Sequence, residues 1–333
     1  MTRPRVLSGF RPTGPMHIGH LKGALENWVR LQDTHDCFYA ICDWHALTSE
    51  YADPSRLPEH IEQMGLDWLA AGLDPERSVI FVQSHVPEHA ELHLLLSMIV
   101  PLSWLERVPT YKEQQEQITH RDLTNYGFLG YPVLQTADIL IYRANFVPVG
   151  EDQLAHLELS REIARRFNHL FGEVFPEPQA LTTPTPRIPG TDGRKMSKSY
   201  GNAISLSDTP EEIRSKILTM VTDPARKRRS DPGNPDVCPV FDLHKAFSTA
   251  ATQQEAAAGC RSAGIGCIDC KKMLLGHLKP ALWPVQERRR ALDRDRGRIH
   301  LLLADGARRA RDEARRTMER VRQAMHLTPR RPA

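Results

Sequence analysis

Short apolar runs alternate with longer amphipathic stretches through the first part of the chain. Four runs have the length and apolar content of buried strands: Val6–Phe10, Cys37–Asp43, Val79–Gln83 and Phe146–Val149. Apolar residues at helical spacing predict helices over His17–Gln32, Leu57–Gly72, Pro87–Val100, Pro132–Arg143 and Asp152–Asn168. Because strands that alternate with helices form parallel sheets, the pattern predicts an α/β fold with a Rossmann-type parallel sheet.

The pattern changes near residue 205. The preceding segment, Pro176–Pro189, is rich in proline and is predicted to be irregular. Beyond it, Thr209-Pro210-Glu211-Glu212 is typical of a helix N-terminus, and the remaining sequence indicates helices separated by proline and glycine. We therefore predict a Rossmann catalytic domain over residues 1–204 and a smaller all-helical domain over residues 205–333.

Basic residues are concentrated in the second predicted domain. The chain of 333 residues has a net charge of +3, but residues 1–204 hold 18 basic and 25 acidic residues, and residues 205–333 hold 26 and 16. The excess, which includes Arg288-Arg289-Arg290, is typical of a domain that binds a polyanion. A solvated arginine-rich surface is an equally good interpretation. The longest apolar run, Leu94–Val100, is too short to span a bilayer, and we expect a cytoplasmic protein without a membrane segment.

Two segments far apart in the sequence have the composition of a nucleotide site. Pro12-Thr13-Gly14 leads into a helix that starts with His17 and His20, so that backbone N–H groups and imidazoles can face a phosphate. Lys195-Met196-Ser197-Lys198-Ser199 places two ammonium groups on a loop, where they can stabilise charge on a leaving pyrophosphate. We predict four catalytic residues: His17, His20, Lys195 and Lys198. A substrate carboxylate would attack the α-phosphate, so no protein nucleophile is required.

The middle of the chain predicts a pocket for a flat apolar ring with one hydrogen-bond donor. Tyr131, Gln135 and Asp138 share one face of a predicted helix, and a carboxylate on this otherwise apolar face needs a donor. Val147 and Val149 share one face of the strand that follows. Apolar walls and one buried acceptor suit an indole ring, whose N–H would pair with Asp138.

Together these segments resemble the class I aminoacyl-tRNA synthetases, and the runs Val147–Asn168 and Gly190–Asn202 resemble the bacterial tryptophanyl-tRNA synthetases. The resemblance implies activation of L-tryptophan by ATP and Mg²⁺ to tryptophanyl-AMP, transfer to tRNA(Trp), and a homodimer. The tryptophan site that it implies comprises Tyr131, Gln135, Asp138, Val147, Val149 and Gln153. The ATP site that it implies comprises Arg11, Pro12, Thr13, Gly19, His20, Gly150, Glu151, Asp152, Ile188, Lys195, Met196, Ser197, Lys198 and Ser199.

Two positions depart from the family pattern. Arg11 stands where glutamine is common, and Gln135 stands where many bacterial members have methionine. Both changes leave the preference among indole substrates open. One alternative function is therefore a specialised paralogue that activates tryptophan analogues or serves a partner protein. Another is tyrosyl-tRNA synthetase, a family with the same fold and with both of the nucleotide-site segments.

Four of the six cysteines lie in the second predicted domain: Cys238, Cys260, Cys267 and Cys270. Such clustering in a cytoplasmic protein favours metal ligands over disulfides, and the spacing suits either Zn²⁺ or a [4Fe–4S] cluster. A subset of the bacterial tryptophanyl-tRNA synthetases has a similar spacing, which favours [4Fe–4S] and implies that Lys271 and Lys272 are presented to the tRNA anticodon. Cys37 and Cys42 are predicted to be structural residues on opposite faces of a core strand.

Overall fold

A computed structural model describes residues 3–108, 124–182 and 188–328 of the chain. Within these residues five parallel strands form one sheet in the order β3-β2-β1-β4-β5. Their bounds are Arg5–Phe10 (β1), Asp36–Ile41 (β2), Ser78–Val82 (β3), Phe146–Val149 (β4) and Gln179–Thr182 (β5). The predicted α/β fold with a Rossmann-type sheet is confirmed.

The strand order reverses between β1 and β4. Strand β1 pairs with β2 along its whole length, but it pairs with β4 only at Val6↔Phe146, near the amino ends of both strands. The carboxyl ends of β1 and β4 therefore separate. In sheets of this type ligands bind in the crevice at this point of reversal.

Helices follow each of the first four strands, and beyond residue 205 the described chain consists of helices and the segments that connect them. The segment after β1 is helical over Ile18–His20 and Glu26–Leu31, with a π-helical turn at Leu21–Leu25 between them. The other α-helices of the described residues are Asp43–Glu50, Leu57–Ala71, Glu88–Ser97, Leu102–Glu106, Tyr126–Ile141, Leu154–Phe171, Pro210–Thr219, Pro239–Phe247, Ala250–Arg261, Cys267–Asp293 and Arg296–Ala324. None of these helices combines the length and the apolar character needed to cross a membrane.

The secondary structure predicted for two segments is wrong in part. Pro176–Pro189, predicted to be irregular, contains strand β5; this edge strand is mostly exposed and so lacks the apolar alternation that identifies strands. Residues 183–187 of that segment lie outside the described part of the chain. The helix predicted to begin at Pro132 begins at Tyr126, where the Asn125 side chain accepts a hydrogen bond from the backbone N–H of Phe128 at 2.9 Å. Pro132 lies inside the helix and is therefore a poor guide to its start.

The apolar cores are continuous across the predicted domain boundary. One core joins Val6 of β1 to Leu274 of the helix Cys267–Asp293. The other joins Phe81 of β3 to Met318 near the end of the described chain. The helical segment beyond residue 205 thus buries its apolar face against the sheet layer, and the boundary at residue 205 stays a prediction.

The helix Arg296–Ala324 covers the edge strand β3. The two backbones are so close that a Cβ atom at Gly306 would lie 1.8 Å from the carbonyl oxygen of Ile80, so only glycine fits there. Arginines on this helix pair with acidic residues of the helix after β3, as in the contact of 2.9 Å between Arg311 Nε and Glu88 Oε1. Part of the basic charge in the second half therefore holds the molecule together.

Candidate active site

A cleft of about 560 Å³ opens at the carboxyl ends of β1 and β4. Phe10 and Arg11 at the end of β1 line it, together with Val149 and Gly150 at the end of β4. The helix Tyr126–Ile141 contributes a third wall. The cleft thus occupies the position that the reversal of strand order predicts.

The cleft is lined by every residue of the predicted tryptophan site but by only some residues of the predicted ATP site. All members of the predicted tryptophan site line it: Tyr131, Gln135, Asp138, Val147, Val149 and Gln153. The predicted ATP residues that line it are Arg11, Gly19, His20, Gly150 and Lys195. Those that do not line it are Pro12, Thr13, Glu151, Ile188, Met196, Ser197 and Lys198, and two of these, Ile188 and Met196, are buried in an apolar core. The side chains of Asp152 and Ser199 lie outside the part of the chain that the structure describes.

Asp138 presents to the cleft a carboxylate that three side chains from other elements hold in place. Its Oδ1 accepts a hydrogen bond from His89 Nδ1 at 2.6 Å, and its Oδ2 accepts one from His45 Nε2 at 2.8 Å. Gln83 Nε2 donates to both oxygens, at 2.8 and 2.9 Å. With its proton on Nδ1, His89 accepts at Nε2 from the Tyr142 hydroxyl at 2.6 Å, so the imidazole is itself fixed from behind.

This network keeps Asp138 ionised although the residue is buried. Burial alone would raise the pKa of the carboxyl, but hydrogen bonds from His45 and His89 hold that pKa well below its ordinary value. A carboxylate offers about four acceptor positions, and the three side chains make four hydrogen bonds to its two oxygens. Gln83 makes two of these from a single nitrogen, so a donor in the cleft would replace one of the Gln83 contacts.

Sequence reasoning does not identify His45, Gln83 or His89 as site residues. Gln83 directly follows β3, and His45 lies at the start of the helix that follows β2. Polar residues just after parallel strands are the signal that would find these two, because the carboxyl ends of such strands meet at the ligand-binding edge. His89 has no such signal, since its position depends on how the helix Glu88–Ser97 packs against the helix that contains Asp138.

The first helical turn after β1 holds two stacked, neutral imidazoles. The ring centroids of His17 and His20 are 3.6 Å apart, and the His17 backbone N–H donates to His20 Nδ1 at 3.2 Å. Burial, and then the charge of Lys198, lowers the pKa of His17 to about 4; burial and the neighbouring charges lower the pKa of His20 to about 2. Because Nδ1 of His20 accepts, its proton is on Nε2, from which it can donate to an anionic oxygen in the cleft.

The lysine loop reaches the same region from the far end of the sequence. Lys195 lines the cleft, and Lys198 Nζ donates to the Gly14 carbonyl oxygen at 2.6 Å, beside the first helix. Burial lowers the pKa of Lys198 to about 8, although the charge of Asp67 acts in the opposite direction. The two predicted nucleotide segments are therefore adjacent in space.

A second polar pair lines the cleft. The Tyr131 hydroxyl and His156 Nε2 are 2.6 Å apart, and both residues line the cleft. The amides of Gln135 and Gln153 line it as well. Hydroxyl and amide oxygens accept hydrogen bonds, so this part of the cleft suits an ammonium group.

The four cysteines of the second half lie near one another. Burial, and then the charges of Cys238, Cys260 and Cys267, raise the pKa of the Cys270 thiol to about 12, which means that all four are within electrostatic range. None is in a disulfide. Among the described residues, however, no group of three or more His, Cys, Asp or Glu side chains has the arrangement needed to hold a metal ion. The sulfurs converge, but they are not at ligand geometry.

The two remaining cysteines are buried and belong to different apolar cores. Cys37 lies on β2 as predicted, but Cys42 comes after the last residue of that strand and directly before the helix Asp43–Glu50. Cys42 also lines the cleft, where its Sγ donates to the Ala40 carbonyl oxygen at 3.3 Å.

Several basic residues expected on the surface are used inside the molecule. Lys271, predicted to face tRNA, is buried, and its ammonium donates to the carbonyl oxygens of Leu218 and Met220, so that prediction is wrong. Arg288 donates to the Ala70 carbonyl oxygen at 2.6 Å. A count of charges cannot separate such internal contacts from a surface that binds a polyanion.

Comparison with known proteins gives consistent matches. The sequence matches the family model described as tRNA synthetases class I (W and Y) over residues 1–282. A tryptophan–tRNA ligase from Thermotoga maritima is 57% identical over 325 residues, which cover 97% of this chain and 99% of that protein. A tryptophan–tRNA ligase from Aquifex aeolicus is 45% identical, with 97% of this chain and 100% of that protein covered.

Solved structures agree with these matches. The crystal structure of tryptophanyl-tRNA synthetase from Campylobacter jejuni, complexed with ADP and tryptophan, has a TM-score of 0.86 at 32% identity and covers 97% of this chain and 99% of that chain. A tyrosyl-tRNA synthetase from Archaeoglobus fulgidus has a TM-score of 0.65 at 24% identity, covering 87% of this chain and 90% of that chain. The latter likeness concerns the fold alone.

Proposed function

This chain belongs to the class I tRNA synthetases of the W and Y family and has tryptophan–tRNA ligase activity, and from that premise we propose how its cleft performs the reaction. Tryptophan binds with its indole ring at Asp138, and ATP binds between the first helix and the lysine loop. The main observation in support is that one cleft is lined both by the ionised Asp138 and by His20 and Lys195.

The first step joins the two substrates. A carboxylate oxygen of tryptophan forms a bond to the α-phosphorus of ATP, and the bond from that phosphorus to the pyrophosphate oxygen breaks. Mg²⁺ arrives with the triphosphate and offsets part of its charge. Negative charge grows on the leaving pyrophosphate, where Lys195 and Lys198 stabilise it more in the transition state than in the ground state. His20 donates through Nε2, and no side chain acts as a nucleophile.

Selection of tryptophan rests on Asp138. The indole N–H replaces one of the two Gln83 contacts to this carboxylate, while Val147 and Val149 contact the ring and Tyr131 and Gln153 receive the ammonium group. A side chain without a donor at this point gains no hydrogen bond to the buried carboxylate, which is the basis for its rejection. Tyrosine has no N–H on its ring, but its phenolic O–H can donate to the same carboxylate. The choice of tryptophan over the tyrosyl alternative therefore rests on the relatives, which are tryptophan–tRNA ligases.

The second step transfers the tryptophanyl group to tRNA(Trp) with release of AMP. We propose that the helical segment beyond residue 205 contacts the tRNA through the basic residues that remain at the surface. Lys227, Arg228, Arg229 and Lys272 are exposed, and they lie on segments that surround the cysteine group. Single-stranded bases and phosphates are the usual targets of such a surface.

We further propose that Cys238, Cys260, Cys267 and Cys270 hold a [4Fe–4S] cluster, with Zn²⁺ as the alternative that the same sulfurs allow. The donor set suits either group, and the four free thiols converge. A bound metal would tie the start of the helix Pro239–Phe247 to the helices Ala250–Arg261 and Cys267–Asp293. Protein purified without oxygen should contain about four irons per chain. Cys270→Ser should lose the iron and the buried Cys37→Ser control should keep it; stoichiometric zinc, or no metal at all, would contradict the cluster.

We also propose that the enzyme is a homodimer in which two copies meet through the helices after β3. Leu94, Leu102 and Tyr126 lie on three helices and are 55%, 62% and 63% exposed, and Met98, directly after the helix Glu88–Ser97, is 67% exposed. An apolar patch of this kind is typical of an interface. Light scattering should report a dimer for the wild type and a monomer for Met98→Glu. The control Leu301→Glu, at a residue 73% exposed on the last helix, should stay dimeric; a dimeric Met98→Glu protein would refute this interface.

The activity is tested by ATP–pyrophosphate exchange with each of the twenty amino acids, followed by charging of total tRNA. Exchange should occur with tryptophan, and one tRNA species should accept it. Exchange with tyrosine in place of tryptophan would contradict the proposal. Exchange with tryptophan but charging of no tRNA would favour the specialised paralogue.

A further inference from the structure

One arginine of the second half lies inside the catalytic half of the molecule. The helix Cys267–Asp293 packs along the helix Leu57–Ala71, and Arg289 Nε donates to Asp67 Oδ1 at 2.7 Å. The Arg289 guanidinium also donates to the side-chain oxygen of Gln63. The Asp67 side chain is 0% exposed and that of Arg289 is 12% exposed, so this ion pair is buried.

The second oxygen of Asp67 holds the backbone of the nucleotide loop. Asp67 Oδ2 accepts a hydrogen bond from the Met16 N–H at 2.9 Å. Met16 itself is buried, and the indole N–H of Trp68 donates to its Sδ at 3.1 Å. The residue after Met16 is His17, which begins the helical turn that contains the two stacked imidazoles. A single carboxylate thus connects a helix beyond residue 205 to the start of the ATP-binding turn.

Loss of Arg289 would leave Asp67 as a buried, unpaired carboxylate. Burial raises the pKa of Asp67, and the charge and hydrogen bond of Arg289 oppose that rise. Lys198 is a second cation within electrostatic range of Asp67, and its ammonium donates to the Gly14 carbonyl oxygen in the intact molecule. Without Arg289 the carboxylate would either take up a proton or draw Lys198 away from the nucleotide loop. Both outcomes change the ATP side of the cleft, and neither touches the Asp138 side.

We infer that Arg289 is a positioning residue for ATP, which acts through Asp67 to fix the Met16–His20 turn. The inference rests on the proposed division of the cleft into an ATP side and a tryptophan side. It also means that part of the basic run Arg288–Arg290 serves adenylate formation rather than contact with tRNA. The competing explanation is that the pair only fastens two helices together.

Arg288 provides a matched control for that explanation. It lies on the same helix and also donates to the helix Leu57–Ala71, at the Ala70 carbonyl oxygen 2.6 Å away. It has no link to Asp67 or Met16 among the described contacts. Arg288→Gln therefore loses a contact between the same two helices without disturbing the nucleotide turn.

The test compares Arg289→Gln, Arg288→Gln and the double variant Asp67→Asn/Arg289→Gln in tryptophan-dependent pyrophosphate exchange. Arg289→Gln should raise the KM for ATP by about tenfold or more and leave the KM for tryptophan within about twofold. Arg288→Gln should match the wild type in both constants. The double variant should recover much of the loss, because asparagine is neutral and still accepts from the Met16 N–H.

Three results would overturn the inference: equal effects of Arg289→Gln on ATP and tryptophan, equal behaviour of Arg289→Gln and Arg288→Gln, or no recovery in the double variant. Wild-type exchange with tryptophan tests the proposed function separately. Calorimetry of ATP binding to the wild type and the variants tests the role of Arg289 separately from the proposed function, because this measurement requires no amino acid. Weaker ATP binding by Arg289→Gln alone supports the inference, and unchanged binding refutes it.

Discussion

Replacing Asp138 with asparagine is expected to weaken tryptophan binding strongly and ATP binding hardly at all. The substitution keeps the size of the side chain and removes its charge. Asparagine has one oxygen to accept hydrogen bonds, whereas the two oxygens of Asp138 accept four, one each from His45 and His89 and two from Gln83. The three protein donors would compete for the single amide oxygen, and the indole N–H would lose its partner.

The magnitude follows from the kind of hydrogen bond that is lost. A hydrogen bond to a charged group contributes about 1.5–3 kcal/mol, which corresponds to a rise of roughly 10- to 150-fold in the KM for tryptophan. The protein itself should lose stability by about 1–3 kcal/mol, because imidazole and amide donors in the buried network are left without an acceptor. The KM for ATP should change by less than about twofold, since the nucleotide side of the cleft has other partners.

Pyrophosphate exchange with two substrates separates the indole contact from a general disturbance of the site. The second substrate is the tryptophan analogue in which sulfur replaces the ring N–H. The wild type should strongly prefer tryptophan, and Asp138→Asn should lose most of this preference. If the variant keeps the wild-type preference, or if its KM for ATP rises as much as its KM for tryptophan, the assigned role of Asp138 is wrong.

Three further outcomes are expected. The pKa of about 8 for Lys198 lies below the ordinary lysine value, so this ammonium loses its proton as the pH rises through about 8; kcat/KM for ATP should fall over that range, and Lys198→Gln should abolish this limb of the pH profile. Lys195→Ala should slow adenylate formation by about 30- to 800-fold with tryptophan binding intact, as single-turnover and calorimetric measurements can check. Gly306→Ala should lower the free energy of unfolding by about 1–3 kcal/mol in a denaturation assay, because the added Cβ would collide with the Ile80 carbonyl oxygen. The control Gly276→Ala adds a Cβ at a helical position with no neighbour within 4 Å, so it should leave the protein equally stable or slightly more stable.

The sequence predicts four of the five strands because buried strands follow from local patterns. Apolar runs identify β1 to β4, but the strand order, which places the cleft between the ends of β1 and β4, is a tertiary feature that the structure supplies. Strand β5 escapes prediction because it is an exposed edge strand whose side chains do not alternate between a core and solvent. The helix that contains Asp138 starts earlier than predicted because Pro132 is accommodated inside it.

The partners of the predicted site residues are harder to obtain from the sequence. Asp138 stands out as a carboxylate on an apolar helix face, but its donors His45, Gln83 and His89 come from three other elements. Their convergence depends on tertiary packing, which periodicity does not encode. The same reason explains Lys271, a basic residue in a basic segment whose ammonium is used inside the fold.

The most direct measurement is a crystal structure of the protein with a non-hydrolysable analogue of tryptophanyl-adenylate. The indole nitrogen should lie within hydrogen-bond distance of the Asp138 carboxylate, and the phosphate analogue should lie beside His20 and the two lysines of the loop. An analogue bound with its indole ring away from Asp138, or with its phosphate outside the space between the first helix and the lysine loop, would contradict the account.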